Sequence, residues 1–328
     1  MGINIVYHSR PRIVISKCLG FDHCRYNGDM VRAELVERLK DHVDFIPVCP
    51  EVEIGLGVPR RPIRVVSGSG IKQLVQPATE KDVASEMNDF VDSFLDNVGE
   101  IDGFILKSRS PSCGLYDVKY YAKIEKSPVI EKGSGFFGEA VKNRYGQLAV
   151  EDEARLLNPK IREHFLTKLF TLARFRTVKK TNSIKPLMDF HANNKYLFMA
   201  YNQAEMRQMG KLIGTQKGRS LDEVFLDYQE HLYNVFNKGP KFSSYVNVLH
   251  HTFGYVSKYL SSEEKAFFLD MGDMYVDDRT PLSTCLTLIR SWVVRFDVEY
   301  LANQTIFEPY PFELGETFDT DRWRNFWK

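Results

Sequence analysis

The stretch IDGFILKSRSPSCG, Ile101 to Gly114, runs from an apolar segment straight into a turn that sets one cysteine among three serines. IDGFIL is short, apolar and closed by Ser and Pro, which is the signature of a buried strand leaving a sheet. Working outward, RIVISKCL (12–19) and VDFIPVC (43–49) read as further strands. DMVRAELVERLKDH (29–42) and EKDVASEMNDFVDSFLDN (80–97) carry the 3.6-residue period of helices. Strands alternating with helices predict an α/β fold, a Rossmann-like parallel sheet covered on both faces. Loops at the carboxyl ends of such strands converge on one crevice, where ligands bind.

Beyond about residue 150 the pattern changes. RSLDEVFLDYQEHLYNVFN (219–237), SSYVNVLHHTFGYVSKYL (243–260) and TCLTLIRSWVVRF (284–296) are amphipathic without strand-like runs between them. The expectation is a first domain over 1–165, with a junction near EDEARLLNPK, and an all-α helical domain over 166–328. A chain of 328 residues, 43% of them apolar, can bury both cores. There is no charged-then-apolar leader, and no apolar run approaches the roughly 20 residues of a spanning helix. The expected location is therefore cytoplasmic, with no membrane association.

Five cysteines (Cys18, Cys24, Cys49, Cys113, Cys285) are an odd, scattered set, which suits reduced thiols or metal ligands better than a disulfide framework. Cys18, Cys49 and Cys113 each follow an expected strand, so the topology brings them together. A buried cysteine is often only a small hydrophobe, but three at strand exits form a pattern. Zinc would need a fourth ligand, which Cys24 could supply, although the Cys-X5-Cys spacing is unlike a zinc knuckle. Three cysteines on a [4Fe-4S] cluster would leave one iron open for chemistry. Glu51, in VCPE, stands two residues past Cys49 as a candidate proton acceptor or as an ion-pair partner of Arg60 or Arg61. Pro111 restricts Ser110 to extended backbone, leaving its hydroxyl free to face the crevice, with Ser112 capping the turn.

GSGFFG (133–138) matches G-x-G-x-x-G formally, but comes late in the domain, so it is weak as a dinucleotide fingerprint. A helix starting there could take one phosphate, with Ser134 in reach. SGSGIK (67–72) reads as a turn. The net charge of +1 hides an asymmetry: residues 158–220 hold thirteen Lys and Arg against three acids. Phe165, Phe170, Phe175, Phe190, Tyr196, Phe198 and Tyr201 are interleaved with those cations, a composition that suits a polyanion surface with rings available for stacking on bases.

SKCLG with RYNG, VCPEVEIGLGVPRRPI and LKSRSPSCG resemble the TudS-type desulfidases, while FHANNKYLFMAYNQ, HHTFGYVSKYLSSEEKAFFL and YLANQTIFEPYPFEL resemble the YbgA-like helical domain. The fusion is similar to the RudS subgroup. That resemblance implies an iron–sulfur-dependent, non-redox enzyme that removes sulfur from 4-thiouridine in tRNA, an RNA-binding role in tRNA modification. It implies Cys18, Cys49 and Cys113 as ligands of a [4Fe-4S] cluster, and Glu51 and Ser110 as the proton-handling residues. Arg60, Lys107, Ser112, Ser134, His191 and Lys195 are the expected substrate contacts. Desulfidation of free thiouracil or a thiolated nucleotide, and a non-catalytic metal-bearing RNA sensor, are the competing expectations.

Overall fold

A computed structural model describes residues 8–68 and 70–315. These form two compact units, Arg10–Ala173 with residues 310–315, and Arg174–Pro309 with residues 8–9.

The first unit is built on β1 (Arg12–Ser16), β2 (Asp44–Val48), β6 (Gly103–Leu106) and β9 (Ala149–Asp152). They make a four-stranded sheet in the order β2-β1-β6-β9, and every pairing in it is parallel. β1 and β6 lie at its centre, and IVIS and GFIL are buried throughout, as expected of strands covered on both faces. The helices of this unit are α1 (Glu34–Leu39), α2 (Pro50–Glu53), α3 (Ala84–Asn97), α4 (Phe136–Tyr145) and α5 (Pro159–Lys180), which runs on into the second unit. Ile13, Ile15, Leu39 and Ile105 share one core with Phe165, Leu166, Leu169 and Phe170 of α5.

The α/β expectation therefore stands, with local differences. The helix expected over 29–42 is only Glu34–Leu39, because the segment before it is held in a turn in which Val31 N–H donates to the Cys18 carbonyl (2.8 Å). A second, mixed sheet lay outside the expectation. It is built from β3 (Arg64–Val66), β4 (Gln73–Gln76), β5 (Lys81–Asp82), β7 (Val118–Tyr121) and β8 (Val129–Gly133), in the order β5-β4-β3-β7-β8. The SGSGIK segment is the connection between β3 and β4, with Ser69 outside the described residues.

The second unit is helical: α6 (Ile184–Asn193), α7 (Lys195–Gly214), α8 (Leu221–Val235), α9 (Phe242–Val256), α10 (Ser262–Val276), α11 (Leu282–Arg295) and α12 (Glu299–Ala302). Ser220 with Glu223 and Ser261 with Glu264 form reciprocal capping boxes that start α8 and α10. No helix of the described residues is long and apolar enough to cross a membrane.

The basic aromatic segment reads differently once folded. Phe165, Phe170, Phe175, Phe190, Tyr196, Phe198 and Tyr201 are all buried, none exposing more than 9% of its surface. The helical period turns the rings into the cores, so they are not the stacking surface that their spacing suggested. Arg207, Lys211 and Lys217 remain exposed.

His191 shows the same inward turn. Its Nδ1 lies 3.1 Å from the hydroxyl of Tyr228, a fully buried residue. Burial, with a smaller push from Lys195, lowers the imidazole to about 4. The unfolded chain takes up this proton near pH 6.5, so the stabilisation is complete above that pH and is lost as pH falls toward 4. The urea midpoint should drop between pH 7 and pH 5, and by less in His191→Gln. An identical drop in the variant would remove His191 as a cause.

Candidate functional site

Parallel register sets the geometry. Ser16 is aligned with Val48 at the ends of β1 and β2. Cys18 lies two residues beyond the first strand end, and Cys49 immediately follows the second. Cys49 is the N-cap of α2, with Pro50 at its first position, and this single turn carries Glu51 back over the strand ends. Cys113 lies in the turn after β6, in the sequence RSPSCG. The Cys24 thiol interacts electrostatically with those of both Cys18 and Cys49. Cys49 Sγ also lies 3.8 Å from the Cys24 carbonyl. The Ser16 hydroxyl acts on the Cys113 thiol, which lies 3.8 Å from Ser112 Oγ. All four are buried free thiols.

That gathering shows in their acidities. The Cys18 thiol, opposed by that of Cys49, and then burial hold Cys24 up to about 11. The Cys24 thiol and burial push Cys49 well above the thiol range. Burial pushes Cys113 up to about 12. Each rise reflects negative charge being costly in a buried, sulfur-rich site, and a bound cationic metal core reverses that balance. Among the described residues, no group of three or more His, Cys, Asp or Glu side chains is arranged to hold a single metal ion. A cluster would make a different demand, with Cys18, Cys49 and Cys113 as the residues that would hold it. An all-sulfur donor set drawn from three loops fits iron–sulfur ligation better than a zinc ion.

Beside the thiols runs a hydrogen-bonded chain. Arg60 Nε and Nη2 both reach Glu51 Oε2, at 2.8 and 2.7 Å. Ser112 Oγ donates to Glu51 Oε1 (2.7 Å) and lies 2.9 Å from Ser110 Oγ. Ser110 Oγ accepts the N–H groups of Cys113 (3.1 Å) and Ser112 (3.3 Å). The turn is braced from behind by α4. A Cβ on Gly135 would lie 2.4 Å from the Ser112 carbonyl oxygen, and one on Gly138 would lie 2.3 Å from that of Gly114. The glycines of GSGFFG thus permit helix and turn to touch. The N–H groups of Gly135, Phe136 and Gly138 donate to carbonyls of Gly114, Pro111 and Ser112, so this helix start is committed to the turn and not to a phosphate.

The structure therefore gathers Cys18, Cys49, Cys113, Glu51, Ser110, Ser112 and Arg60 in one place. Arg60, expected among the substrate contacts, has a side chain only 4% exposed and spends its donors on Glu51, the Cys24 carbonyl (2.9 Å) and the Gly57 carbonyl (3.1 Å). Lys107 is paired with Glu153, which also accepts from Ser108 N (2.7 Å). Ser134 Oγ donates to the Leu115 carbonyl (2.7 Å). His191 and Lys195 belong to the helical unit, where Lys195 Nζ lies 5.6 Å over the Tyr196 ring. One participant, Ser16, was missed in the sequence, and a second, Cys24, was named there only as a possible fourth ligand of zinc. Ser16 meets both Cys113 and the Lys107 N–H (2.9 Å), and its only sequence signal is its position two residues before Cys18. Cys24 stands between two expected ligands, and its only signal is its spacing from Cys18.

Two family models match separate parts of the chain. A family model described as 2-thiouracil desulfurase matches residues 13–153. A second, described as a protein of unknown function (DUF1722), matches residues 195–311. The uncharacterized protein YbbK of Bacillus subtilis (strain 168) is 32% identical over 111 residues, 31% of this chain and 72% of its own length. The uncharacterized protein YbgA of Escherichia coli (strain K12) is 24% identical over 148 residues, 44% of this chain and 88% of its own length. A solved structure described as the [4Fe-4S]-dependent thiouracil desulfidase TudS aligns with 45% of this chain and 94% of its own, at 25% identity and a TM-score of 0.34.

Proposed function

Because the chain belongs to the 2-thiouracil desulfurase family through residues 13–153, we propose that it is an iron–sulfur-dependent desulfidase that converts 4-thiouridine in tRNA to uridine, releasing hydrosulfide without net oxidation or reduction. The observation that carries this reading is the gathering of Cys18, Cys49 and Cys113 beside the hydrogen-bonded pair formed by Glu51 and Ser112. A [4Fe-4S] cluster on those three cysteines would keep one iron free of protein ligands, supplying a soft Lewis acid for an exocyclic sulfur. The chain's own share is proton handling. Glu51 and Ser110 take a proton from water as it adds to the ring carbon and return one to the departing sulfur. Arg60 keeps Glu51 oriented, and Cys24 supports the positions of Cys18 and Cys49.

The tRNA part of the reading rests on charge. Residues 158–220 carry a net charge of about +10 in a chain whose total is +1. The exposed cations Arg207, Lys211 and Lys217 suit a phosphate backbone. A thiolated base in folded tRNA must also leave its stack before it can enter a crevice at the strand ends.

The test is anaerobic incubation of the reconstituted protein with thiolated tRNA and, separately, with free 4-thiouracil, following loss of the thiocarbonyl absorbance. The expected result is faster turnover of tRNA, weakening steeply with salt, as each phosphate contact releases condensed counterions. Arg207→Glu combined with Lys211→Glu should lower turnover of tRNA but not of the free base. Equal turnover of both substrates at every salt concentration would favour a desulfidase of free thiouracil or thiolated nucleotides. No decay of either would leave a metal-bearing RNA-binding sensor.

A further inference from the structure

Immediately after Cys24 the chain turns back on itself over Arg25–Asp29. Arg25 N–H donates to the Asp29 carbonyl (3.2 Å), and Gly28 N–H donates to the Arg25 carbonyl (2.9 Å). Both ends of this loop are fixed to cysteines of the site. The Cys24 carbonyl accepts from Arg60 Nη1 (2.9 Å) and lies 3.8 Å from Cys49 Sγ, while Val31 N–H donates to the Cys18 carbonyl (2.8 Å). The middle is held as well, since the Tyr26 carbonyl accepts from Arg60 N–H (2.7 Å). The loop thus leaves the buried thiols and returns to them, and Tyr26 stands at its outer edge.

Exposure changes abruptly along it. Cys24 is 3% exposed, whereas Tyr26 is 43% exposed. Single exposed rings are commonplace on protein surfaces, but two features set this one apart. The Arg25 guanidinium lies over the Tyr26 ring, 5.7 Å from its centroid, a cation–π contact that steadies the ring. The guanidinium groups of Arg25 and of Arg61, on the neighbouring loop, have no hydrogen bond or ion pair among the described residues, unlike that of Arg60. A steadied aromatic face beside uncommitted cations is the composition that holds unpaired nucleotides, with rings stacking on bases and guanidiniums meeting phosphates.

Depth decides which nucleotide this is. Cys18, Cys49 and Cys113 are each no more than 9% exposed, so a base that reacts there must pass inside the rim and cannot lie on a ring open to solvent. Its neighbour in the strand stays outside, at the level of Tyr26.

We propose that Tyr26 is a stacking platform for the nucleobase adjoining the thiolated one in an RNA strand, with Arg25 meeting the phosphate between them. The proposal rests on the desulfidase reading for the identity of the base that enters, and it gives the first unit an RNA contact of its own. A base that leaves its helix costs its neighbour a stacking partner, and the tyrosine ring replaces it. The contact tolerates any sequence, because every base has a π face. A free thiolated base has no neighbour and gains nothing from it, so the rim favours a strand over a free base.

Two readouts test the platform on the full, cluster-loaded chain. The first is the ratio of kcat/KM for thiolated tRNA to that for free 4-thiouracil. Tyr26→Leu keeps bulk but has no aromatic face, and it should lower this ratio by about 10- to 100-fold, mostly through KM, as loss of one base–aromatic stack does. Tyr26→Phe should hold it within about 2-fold, since the stacking face remains. Arg25→Ala should reduce the salt dependence of KM for tRNA by about one phosphate contact. The second readout needs no turnover. The protein is irradiated with a tRNA transcript in which 5-iodouridine replaces uridine, and a uracil ring stacked on a side-chain ring joins it with release of hydrogen iodide. Peptide mass spectrometry should find the adduct at position 26 in the natural protein and in Tyr26→Phe, and should find it lost there in Tyr26→Leu. A Tyr26→Leu protein with full iron content and an unchanged ratio, or labelling that bypasses position 26, overturns the proposal. Labelling of Tyr26 in a protein that turns over no thiolated pyrimidine would leave the platform standing and remove the desulfidase reading.

Discussion

Alanine at Cys18, Cys49 or Cys113 is expected to take the iron out of the protein. Each of these thiols is a third of the proposed ligand set, and two thiolates from separate loops give an iron–sulfur core no stable seat. Iron and acid-labile sulfide, measured after anaerobic reconstitution, should fall from a full complement to near zero in each variant. Desulfidase turnover should fall by about 10³-fold or more, since Lewis-acid activation contributes several kcal/mol and each 1.4 kcal/mol is a factor of ten. The fold should persist, because Cys18 and Cys49 are each only 9% exposed parts of a larger apolar cluster and the change removes one small atom. Cys285→Ala is the control, being in α11 of the helical unit with its Sγ 3.6 Å from the Met271 carbonyl. Cys24→Ala separates support from ligation. It should lower iron content only partly, by loosening Cys18 and Cys49, whereas complete loss would place Cys24 among the ligands. A Cys18→Ala or Cys49→Ala protein with its full iron content would end the assignment.

The same cysteines show what the sequence makes legible. Cys18, Cys49 and Cys113 are 31 and 64 residues apart in turn. Their convergence follows from three apolar runs that must become parallel neighbours, because in such sheets the carboxyl ends of all strands share an edge. The second sheet gave no comparable signal. β3 is three residues long and β8 is exposed along most of its length, so neither shows the burial periodicity that marks a strand. The rings of residues 165–201 misled for the opposite reason. Phe and Lys mixed along the chain resemble a mixed surface, and only the helical period sorts them, sending the rings inward.

Hydrogen-bond partners were the least legible part. Ser112 reads as a turn cap, yet its hydroxyl crosses to Glu51, 61 residues earlier. Arg60 lies in VPRRPI, where Arg60 or Arg61 was the expected ion-pair partner of Glu51, and the structure selects Arg60. Its burial is visible only once Arg60 N–H is seen donating to the Tyr26 carbonyl (2.7 Å), drawing the loop over the crevice.

That burial makes Arg60 a residue whose truncation should cost considerable stability. Its guanidinium spends Nε and Nη2 on Glu51 and Nη1 on the carbonyls of Cys24 and Gly57. It therefore ties together three segments that surround the thiols. Arg60→Ala leaves a carboxylate that is 11% exposed without its counter-charge and takes a donor from the Cys24 carbonyl, and breaking a buried pair from one side costs about 3–5 kcal/mol. Arg60→Lys keeps the charge but replaces a planar fork with a single ammonium group, which cannot serve Glu51 and both carbonyls together, so it should recover only part of the loss. Removing both charges, as in Arg60→Met with Glu51→Leu, should be milder than Arg60→Ala alone, because no unpaired charge then remains. Hydrogen exchange of peptides covering residues 12–60 reads this locally, independent of iron content. Protection there should collapse in Arg60→Ala and return in the double variant. Unchanged protection in Arg60→Ala would mean that the crevice is held by the sheet alone and that Arg60 serves only to aim Glu51.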